Sequence, residues 1–362
     1  MKAAIFHGKE NIKIEEVVPQ PLKPGEARVQ IAAALTCGTD LKVLKRGYHA
    51  RMITPPSPFG HELAGTISEI AAPQGNAQGY WKVGDRVVVA NSAPCGNCFF
   101  CQNHQENLCE DLVFLNGAYA ESIIIPPRFV QKNMVRLEPQ TAFQDAALAE
   151  PLACVVQGIE DLDLRAGQTV LVLGAGPIGL MFVALAKHLG RQVSVAGRGQ
   201  NRLEAAKRLG AEEVFDVGKA GDVLGAVSKS KTLNHHANGK SNASHGACGF
   251  DVVIEAVGKP ETWEAAVRLV RKGGSVNFFG GCPGGTTVSL DTGTIHYSNL
   301  KLLASFHHTP TTFRHALGYI EEGVIRAKDF VDGQWPLTKL PELFQQMAAG
   351  NRAVKTLVNV RE

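Results

Sequence analysis

The sequence has no marked excess of charge of either sign. Its 37 lysine and arginine residues stand against 34 aspartate and glutamate residues, which gives a formal net charge of +3. A balance so close to neutral argues against nucleic acid and against an acidic membrane surface as partners. Residues 1–10 also lack the apolar core of a signal peptide, and we therefore expect a cytoplasmic protein.

The sequence lacks an unbroken apolar run that could cross a membrane. Residues 168–186 carry no charge and have the length of a span, but three glycines and a proline interrupt them. Arg165 and Lys187 lie close on either side. We expect no membrane-spanning segment, and a length of 362 residues predicts two domains rather than one.

Eight cysteines in a reducing compartment indicate metal ligands, catalytic groups or buried small residues rather than disulfides. Four of them follow the spacing C-x2-C-x2-C-x7-C, namely Cys95, Cys98, Cys101 and Cys109. Four thiolates this close in sequence can enclose one Zn²⁺ ion tetrahedrally. An iron–sulfur site and a pair of disulfides are the alternatives. Structural zinc in a lobe over residues 91–110 is favoured, because a closed all-cysteine site is its usual form.

A glycine-rich motif lies near the middle of the chain. Residues 170–173 are apolar and typical of a buried strand, residues 180–189 are typical of a helix, and G-x-G-x-x-G lies between them. In a dinucleotide-binding unit the glycines allow a tight turn, approach to a pyrophosphate and close helix packing. The coenzyme-binding residues predicted in this loop are Gly174, Gly176, Pro177, Ile178 and Gly179.

The second strand of this unit indicates which coenzyme is used. NAD-preferring domains place an acidic residue roughly 20 residues after the glycine loop, to bind the ribose 2′-hydroxyl. No acidic residue occurs between Gly174 and Glu204, and the strand instead ends in Gly197 and Arg198, with Arg202 beyond. These arginines could be solvated surface charges, but that would not explain the missing acid. NADP(H) is therefore predicted over NAD(H): Gly197 leaves room for a 2′-phosphate, Arg198 can grip it, and Arg202 could add a second contact if the chain folds back.

The chain changes character at about residue 150. Residues 1–150 are dense in glycine, proline and short β-type runs, which predicts a small β-rich domain. Alternating strands and helices follow, which predicts a doubly wound parallel sheet in an α/β protein. The predicted strands are 3–6, 27–31, 85–89, 193–196, 213–215, 251–254, 275–279, 300–306 and 355–360, and the predicted helices are 201–209, 260–270, 311–322 and 340–349.

Two further groups of residues could bind metal. Residues 228–249 are polar and contain His235, His236 and His245; an exposed insertion is favoured there over a histidine site. The second group is dispersed, and taken singly its members could be a core cysteine, a loop histidine and helix-start or loop carboxylates. One thiolate, one imidazole and one carboxylate suit a catalytic zinc that keeps a position open, and the candidate residues are Cys37, His61, Glu62 and Glu150.

The chain resembles the zinc-dependent medium-chain dehydrogenases over nearly its whole length. The resemblance rests on Cys37-Gly38-Thr39-Asp40, Gly60-His61-Glu62, the four-cysteine lobe, Glu150-Pro151-Leu152 and the glycine loop, in family order. Within the family the chain is most similar to the sorbitol (polyol) and threonine dehydrogenases, because glutamate stands at position 150. The resemblance implies a GroES-like catalytic domain at 1–150, a Rossmann domain at 151–306, and a return to the catalytic domain at 307–362.

The resemblance also implies roles for single residues. Cys37, His61 and Glu150 match the catalytic zinc ligands, Glu62 a carboxylate close to the metal, and Thr39 the hydroxyl that bonds the substrate oxygen and takes its proton. The remaining matches concern the coenzyme and proton relay: Cys154 falls against the nicotinamide, Val257 is counted with the coenzyme contacts, and Lys42 replaces the relay histidine of many relatives.

The reaction implied is hydride transfer between a secondary alcohol, polyol-like, and C4 of the nicotinamide, giving a ketone. The partner is thus a small alcohol or ketone, and the family expectation for assembly is a homodimer or homotetramer. Threonine 3-dehydrogenase-like activity is the alternative within the family. A non-catalytic NADP(H)-binding sensor and a zinc-free quinone or enoyl reductase are alternatives of other kinds.

Overall fold

A computed structural model describes residues 1–49, 51–72, 80–234, 248–350 and 353–361 of the chain. His235, His236 and His245 of the polar segment lie outside these residues. Contacts divide the chain into two compact units: unit 1 is Met1–Ala153 with His308–Glu362, and unit 2 is Cys154–His307. The functional domain boundaries given above stay a prediction.

The strands, in chain order, are β1 Lys2–Gly8, β2 Asn11–Glu16, β3 Ala27–Leu35, β4 Ser57–Pro58, β5 Glu62–Ile70, β6 Arg86–Val89, β7 Ser92–Ala93, β8 Val113–Phe114, β9 Ser122–Ile125, β10 Met134–Arg136, β11 Thr169–Leu173, β12 Gln192–Gly197, β13 Glu213–Asp216, β14 Phe250–Glu255, β15 Val270–Phe278, β16 Lys301–Leu303, β17 Val331–Pro336 and β18 Lys355–Asn359.

The helices are α1 Gly38–Arg46, α2 Phe99–Gln102, α3 Pro127–Lys132, α4 Phe143–Ala146, α5 Ala149–Leu162, α6 Pro177–His188, α7 Gln200–Arg208, α8 Val217–Ala220, α9 Val223–Val227, α10 Lys231–Asn234, α11 Pro260–Leu269, α12 Thr292–Tyr297, α13 Pro310–Glu321, α14 Ala327–Phe330 and α15 Leu340–Ala348; Glu106–Leu108 and Leu337–Lys339 are 3₁₀ turns. Within the described residues, none of these helices is long and apolar enough to cross a membrane.

Unit 1 is built on a sheet with the strand order β10-β6-β5-β3-β18-β17, and β9 also pairs with β3. Strand β18 reaches this sheet from the C-terminal end of the chain by pairing antiparallel with β3. The aromatic side chains of Phe6, Phe59, Tyr119 and Phe344 pack together in its core, with neighbouring ring centroids 5.2–6.1 Å apart. Phe59 of this cluster stands two residues before His61 in the sequence.

Unit 2 contains a six-stranded sheet, all parallel, in the order β13-β12-β11-β14-β15-β16. The α/β fold with a doubly wound parallel sheet is therefore confirmed. Strand order reverses between β11 and β14, and in such sheets ligands bind at the carboxyl ends of the strands beside this reversal. The glycine loop follows β11 at that place.

One predicted strand is shorter in the structure. The apolar pattern of residues 300–306 predicts a strand throughout, but β16 ends at Leu303. The hydroxyl of Ser305 donates to Asp161 Oδ2 at 2.6 Å and accepts from Asn277 Nδ2 at 2.9 Å. Hydrogen bonds of a serine side chain compete with the regular hydrogen bonding between strands, and β16 accordingly ends before Ser305.

Candidate functional site

The thiol of Cys37 lies at the N-terminus of helix α1. Cys37 is the N-cap residue, and its Sγ accepts a hydrogen bond from the backbone N–H of Thr39 at 3.4 Å. The N-terminal end of a helix attracts negative charge, and the sulfur of Cys37 lies at that end of α1. Thr39, the second residue of α1, is half-buried, whereas Lys42 on the same helix is exposed.

His61 and Glu62 open strand β5 directly after a glycine that the fold requires. Gly60 has φ of +85°, and a Cβ there would lie 2.6 Å from the ring of Tyr119. His61 is 3% exposed and Glu62 is not exposed at all. Candidate ligand atoms of Cys37, His61 and Glu62 lie within 4.8 Å of one another, so this turn brings a thiol, an imidazole and a carboxylate together.

The carboxylate of Asp40 lies beside the imidazole of His61, and the phenol of Tyr119 in turn contacts that carboxylate. Asp40 Oδ1 lies 2.9 Å from His61 Nδ1, at ion-pair distance although the N–H direction is not that of a hydrogen bond. The hydroxyl of Tyr119 donates to Asp40 Oδ2 at 2.6 Å. Burial alone would lower the pKa of His61, but the charges of Asp40 and Cys37 outweigh it and raise this pKa. With Nδ1 turned to Asp40, Nε2 is the nitrogen left for a metal.

Glu62 is paired with a lysine from the other end of the chain. Lys355 Nζ donates to Glu62 Oε1 at 2.6 Å and to Oε2 at 2.5 Å. Burial lowers the pKa of Lys355, but attraction to Glu62, Cys37 and Glu150 outweighs burial and raises this pKa; burial also raises the pKa of Glu62, against the opposing charges of Lys355 and His61.

Glu150 lies near this group but outside the 4.8 Å set. It is 6% exposed in the first turn of α5. Burial raises the pKa of Glu150 to about 7, while the nearby charge of His61 opposes the rise and that of Glu62 adds to it. Glu150 is thus a buried carboxyl within electrostatic reach of the other candidate ligands.

The four lobe cysteines also form a compact group, with all four sulfur atoms within 4.8 Å of one another. The sulfurs of Cys95 and Cys101 are 3.9 Å apart, and so are those of Cys98 and Cys109. Disulfide sulfurs lie about 2.05 Å apart, whereas a tetrahedron of Zn–S bonds of about 2.3 Å has edges of about 3.8 Å. Backbone N–H groups of residues 95, 96 and 97 point at three of these sulfurs.

Both donor groups fit zinc. Sulfur and imidazole nitrogen with carboxylate oxygen suit an open zinc site, and four sulfurs suit a closed one. The buried, carboxylate-backed imidazole of His61 is the arrangement that usually accompanies a histidine ligand.

The geometry of the glycine loop in unit 2 explains why each of its three motif positions, 174, 176 and 179, is occupied by glycine. Gly174 has φ of +113°, which only glycine adopts easily. A Cβ at Gly179 would lie 1.8 Å from the carbonyl oxygen of Gly174, so helix and loop could not pack as closely with any other residue. A Cβ at Gly176 would meet nothing within 4 Å, and this residue caps α6 without a side-chain hydrogen bond. The first N–H groups of α6 are therefore open to an anion.

The other predicted coenzyme-binding residues differ in exposure and in the elements on which they lie. Gly197 is buried at the end of β12, and Arg198 is exposed with its Nη2 3.4 Å from the carbonyl oxygen of Gly221. Arg202 is half-buried on α7 and Cys154 is half-buried on α5. Val257 Cγ2 would lie 3.0 Å from a Cβ at Gly174, which puts Val257 beside the glycine loop.

Three residues of the metal-site surroundings were not among those predicted from the sequence. Asp40 stands in the quoted Cys-Gly-Thr-Asp run, and its place one turn from Cys37 on α1 could have marked it. Tyr119 and Lys355 carry no local signal, because they reach the site from 79 and 293 residues away.

A thiol–imidazole–carboxylate group and a dinucleotide-type loop on one chain define a metal-dependent, nicotinamide-linked oxidoreductase. The alcohol dehydrogenase GroES-like domain matches residues 23–135, and the zinc-binding dehydrogenase domain matches residues 177–322. The chain belongs to this family, the zinc-dependent medium-chain dehydrogenases, and is an oxidoreductase of the alcohol dehydrogenase type.

Individual relatives cover nearly the whole chain. D-altritol 5-dehydrogenase of Agrobacterium fabrum is 32% identical over 367 residues, covering 98% of both chains. Sorbitol dehydrogenase of Bacillus subtilis is 28% identical over 362 residues, covering 99% of this chain and 97% of the relative. A Sinorhizobium meliloti protein described as a zinc-binding dehydrogenase, solved with NADP, is 30% identical with a TM-score of 0.84, covering 99% and 98%.

Proposed function

We propose that the chain interconverts a secondary alcohol of the polyol or sugar-alcohol type and its ketone, using NADP(H). The observation that carries this proposal is the buried group of Cys37, His61 and Glu62, whose ligand atoms lie within 4.8 Å of one another. The substrate class is supported by the names of the relatives, among them sorbitol dehydrogenase and D-altritol 5-dehydrogenase.

Cys37 and His61 would hold the catalytic zinc together with a carboxylate, for which Glu62 lies in the same 4.8 Å group and Glu150, the match that the resemblance gives, lies outside it. Zinc bound there would lower the pKa of the substrate hydroxyl and polarise the ketone in the reverse direction. Asp40 keeps the ring of His61 in one orientation, 2.9 Å from its Nδ1. Thr39 Oγ1 accepts the substrate proton, and the exposed Lys42 binds coenzyme or substrate rather than relaying that proton.

The first test combines a rate screen with one substitution. The purified protein is assayed with both coenzymes against polyols, sugars, threonine and simple alcohols. Polyols should give the highest kcat/KM, and His61→Ala should abolish turnover while coenzyme binding stays nearly intact. The exposed His296→Ala is the matched control. Retention of most activity by His61→Ala would show that the metal mechanism is wrong.

The two metal sites are proposed to have different roles. Four sulfurs leave no ligand position open at Cys95, Cys98, Cys101 and Cys109, so that site orders the lobe and takes no part in the reaction. Cys98→Ser should therefore lose about one zinc equivalent, and Cys37→Ser should lose a different one. Metal analysis of both variants separates the sites, and iron with sulfide in the lobe would overturn the assignment.

Preference for NADP(H) is proposed from Arg198 and the absence of an acid on β12. A planar guanidinium can grip a phosphate by a charge-assisted pair of hydrogen bonds, worth about 1.5–3 kcal/mol for a charged group. Arg198→Ala should thus lower kcat/KM with NADPH by about tenfold or more and leave the value with NADH nearly unchanged. Arg208→Ala is the control, since Arg208 is exposed at the C-terminal end of α7, the helix that begins two residues after Arg198. Equal use of NADH by the wild type would contradict the proposal.

Assembly as a homodimer or homotetramer is proposed as well. Strand β16 lies at one end of the sheet of unit 2, where it pairs with β15 on one side. Tyr297, just before it, is 84% exposed. Sheet edges and exposed aromatic side chains are common at subunit contacts. Light scattering of the purified protein measures the mass directly, and a monomer at micromolar concentration would refute this. Cytoplasmic location stays a prediction.

A further inference from the structure

The carboxylate of Glu255 is fully buried at the last residue of β14. Its Oε1 accepts hydrogen bonds from the backbone N–H of Val257 at 2.9 Å, from that of Gly258 at 3.0 Å and from the hydroxyl of Thr262 at 2.7 Å. Its Oε2 accepts from the N–H of Gly258 at 3.2 Å. Both oxygens act as acceptors, which fits an ionised carboxylate.

These hydrogen bonds join a strand, a turn and a helix. Their donors belong to the turn at residues 256–258 and to Thr262, the third residue of α11. A buried carboxylate is costly unless it is fully hydrogen-bonded. Burial accordingly raises the pKa of Glu255, while the hydrogen bonds from Thr262, Gly258 and Val257 oppose the rise. The conformation of the turn therefore depends directly on this side chain.

The turn at residues 256–258 packs on the glycine loop of the same unit. The backbone N–H of Ala256 donates to the carbonyl oxygen of Leu173 at 2.8 Å, directly before Gly174. A Cβ at Gly174 would lie 3.0 Å from Val257 Cγ2 and 3.1 Å from the carbonyl oxygen of Ala256. A shift of the turn would thus move the first glycine of the loop that is predicted to bind coenzyme.

A third loop contacts the same carboxylate. The backbone N–H of Gly280 donates to the carbonyl oxygen of Glu255 at 2.7 Å, and Trp263 Nε1 donates to the carbonyl oxygen of Gly280 at 2.9 Å. A Cβ at Gly280 would lie 2.6 Å from Glu255 Oε2 and 2.4 Å from the backbone nitrogen of Gly258. These loops follow β11, β14 and β15, at the edge of the sheet where such folds bind their coenzyme.

Val257 is the apolar side chain that the turn presents to solvent. Its backbone N–H is bonded inward to Glu255, whereas its side chain is 37% exposed beside the glycine loop. Val257 is one of the predicted coenzyme contacts, and its direction is set by a hydrogen bond that only Glu255 accepts among the described residues.

We propose that Glu255 is a positioning residue for the coenzyme, whose carboxylate holds the turn at 256–258 and with it Val257 against the glycine loop. This inference rests on coenzyme binding at that loop, as proposed above. Glu255 acts through a turn after β14, whereas Arg198 follows β12 and acts on the 2′-phosphate. Loss of the Glu255 carboxylate therefore affects NADPH and NADH alike, and loss of Arg198 affects NADPH alone.

The test compares carboxylates at the two ends of one strand. Asp251, near the start of β14, accepts from the backbone N–H of Thr169 at 2.8 Å and from Arg271 Nε at 2.7 Å. Four residues separate Asp251 from Glu255, which is about 13 Å along a strand. Asp251→Asn is therefore the matched control for Glu255→Gln, because it removes a hydrogen-bonded charge at the opposite edge of the sheet. Fluorescence titration of full-length protein gives Kd for NADPH and for NADH, and urea unfolding gives the stability.

We expect Glu255→Gln to weaken the binding of both coenzymes by about tenfold, because an amide N–H then faces the N–H groups of the turn. Asp251→Asn should lose stability as well but keep both Kd values near those of the wild type. Unchanged Kd values in a folded Glu255→Gln protein would overturn the inference. Equal weakening by Asp251→Asn would also overturn it, because binding would then follow the general stability of unit 2. A loss with NADPH alone would contradict it too.

A second pair of variants serves if Glu255→Gln fails to fold. Thr262→Val removes one donor to the carboxylate and has a similar shape, whereas Thr262→Ser keeps the hydroxyl. Thr262→Val should bind both coenzymes about fivefold more weakly than Thr262→Ser. Equal Kd values in these two variants would overturn the inference.

Failure of the proposed function gives a different result. A wild type that binds neither coenzyme would overturn the proposed function and this inference with it. A wild type that binds coenzyme, with Glu255→Gln equal to it, would leave the proposed function in place and refute only the role of Glu255.

Discussion

Replacing Tyr119 by phenylalanine removes one oxygen atom from the support of the metal site. The ring of Tyr119 packs against Gly60 and the neighbouring aromatic side chains, and Tyr119→Phe keeps that packing. The hydroxyl donates 2.6 Å to Asp40 Oδ2, and its oxygen also lies 3.2 Å from the carbonyl oxygen of Leu35. Asp40 is 2% exposed, so no water replaces the lost donor readily.

The size of the effect follows from the contact that is lost. A hydrogen bond to a charged group contributes about 1.5–3 kcal/mol, which is about 10- to 150-fold in an equilibrium constant. Part of this loss falls on folding and part on the metal, because Asp40 Oδ1 lies 2.9 Å from His61 Nδ1 and holds that ring for coordination. Substitution of a residue that orients a metal ligand typically weakens metal affinity about 10- to 100-fold. We therefore expect about a tenfold weaker affinity at the site of Cys37 and His61.

Competition with a chromophoric chelator measures this affinity. The zinc of the cysteine lobe is an internal reference, because it should bind equally in both proteins. Tyr297→Phe removes a hydroxyl from a side chain that is 84% exposed and should change neither affinity. Tyr119→Phe could lower the free energy of unfolding and still leave the zinc affinity at Cys37 and His61 within about threefold of the wild type, well below the expected effect of about tenfold. That result would show that Tyr119 stabilises the fold and does not act on the metal site.

Two further predictions concern the proton and the pH. Thr39→Val should lower kcat and kcat/KM together, because it removes an interaction made in the transition state, whereas Lys42→Ala should act mainly on KM. His308 is 2% exposed, its Nε2 lies 3.1 Å from Asn91 Oδ1, and burial lowers its pKa to about 4. Its unfolded form takes up a proton below about pH 6.5, so stability falls as the pH drops; at about pH 5.5 the loss is about 1.4 kcal/mol, and His308→Gln should abolish it.

Steady-state kinetics with the preferred alcohol checks the first of these, and a severe loss of kcat in Lys42→Ala that added amines restore would reverse the two roles. Urea unfolding at two pH values checks the second. His296→Gln, at an exposed histidine, should lose stability with pH as the wild type does. An identical pH dependence of wild type and His308→Gln would contradict the burial argument.

Features with a local pattern could be predicted from the sequence. The glycine loop, β12 and α7 follow one another within a short stretch, and their hydrophobic periods and glycines specify strand, turn and helix directly. The four lobe cysteines are also close in sequence, and only their spacing was needed to bring the sulfurs together. Strands β3 and β18 were both predicted from their local patterns, but their pairing with each other was not.

The surroundings of the metal site depend on contacts that no local pattern reveals. Lys355 is 293 residues from Glu62, and Tyr119 is 79 residues from Asp40. A lysine in a strand pattern is ordinarily exposed, and only the fold shows that this one is buried against a carboxylate. The resemblance marked Glu62 as close to the metal, but what holds it there required coordinates.

Gly197 illustrates how one residue can have a structural reason beside a functional one. From the sequence, glycine at this position leaves room for a 2′-phosphate. In the structure a Cβ at Gly197 would lie 2.5 Å from the Cβ of Ala175 and 2.9 Å from its backbone nitrogen, so the end of β12 and the glycine loop touch without space for a side chain. Gly197→Ala should therefore destabilise unit 2 by about 1–3 kcal/mol, as overpacking usually does.

Because this strain would displace the loop that receives either coenzyme, Gly197→Ala should lower kcat/KM with NADPH and with NADH by similar factors. Arg198→Ala, which frees space on an exposed side chain, should discriminate between them. Thermal unfolding and both kcat/KM values separate the two explanations. If Gly197→Ala keeps the wild-type melting temperature and loses activity with NADPH alone, Gly197 makes room for the 2′-phosphate. The close packing at Gly197 then contributes nothing measurable to stability.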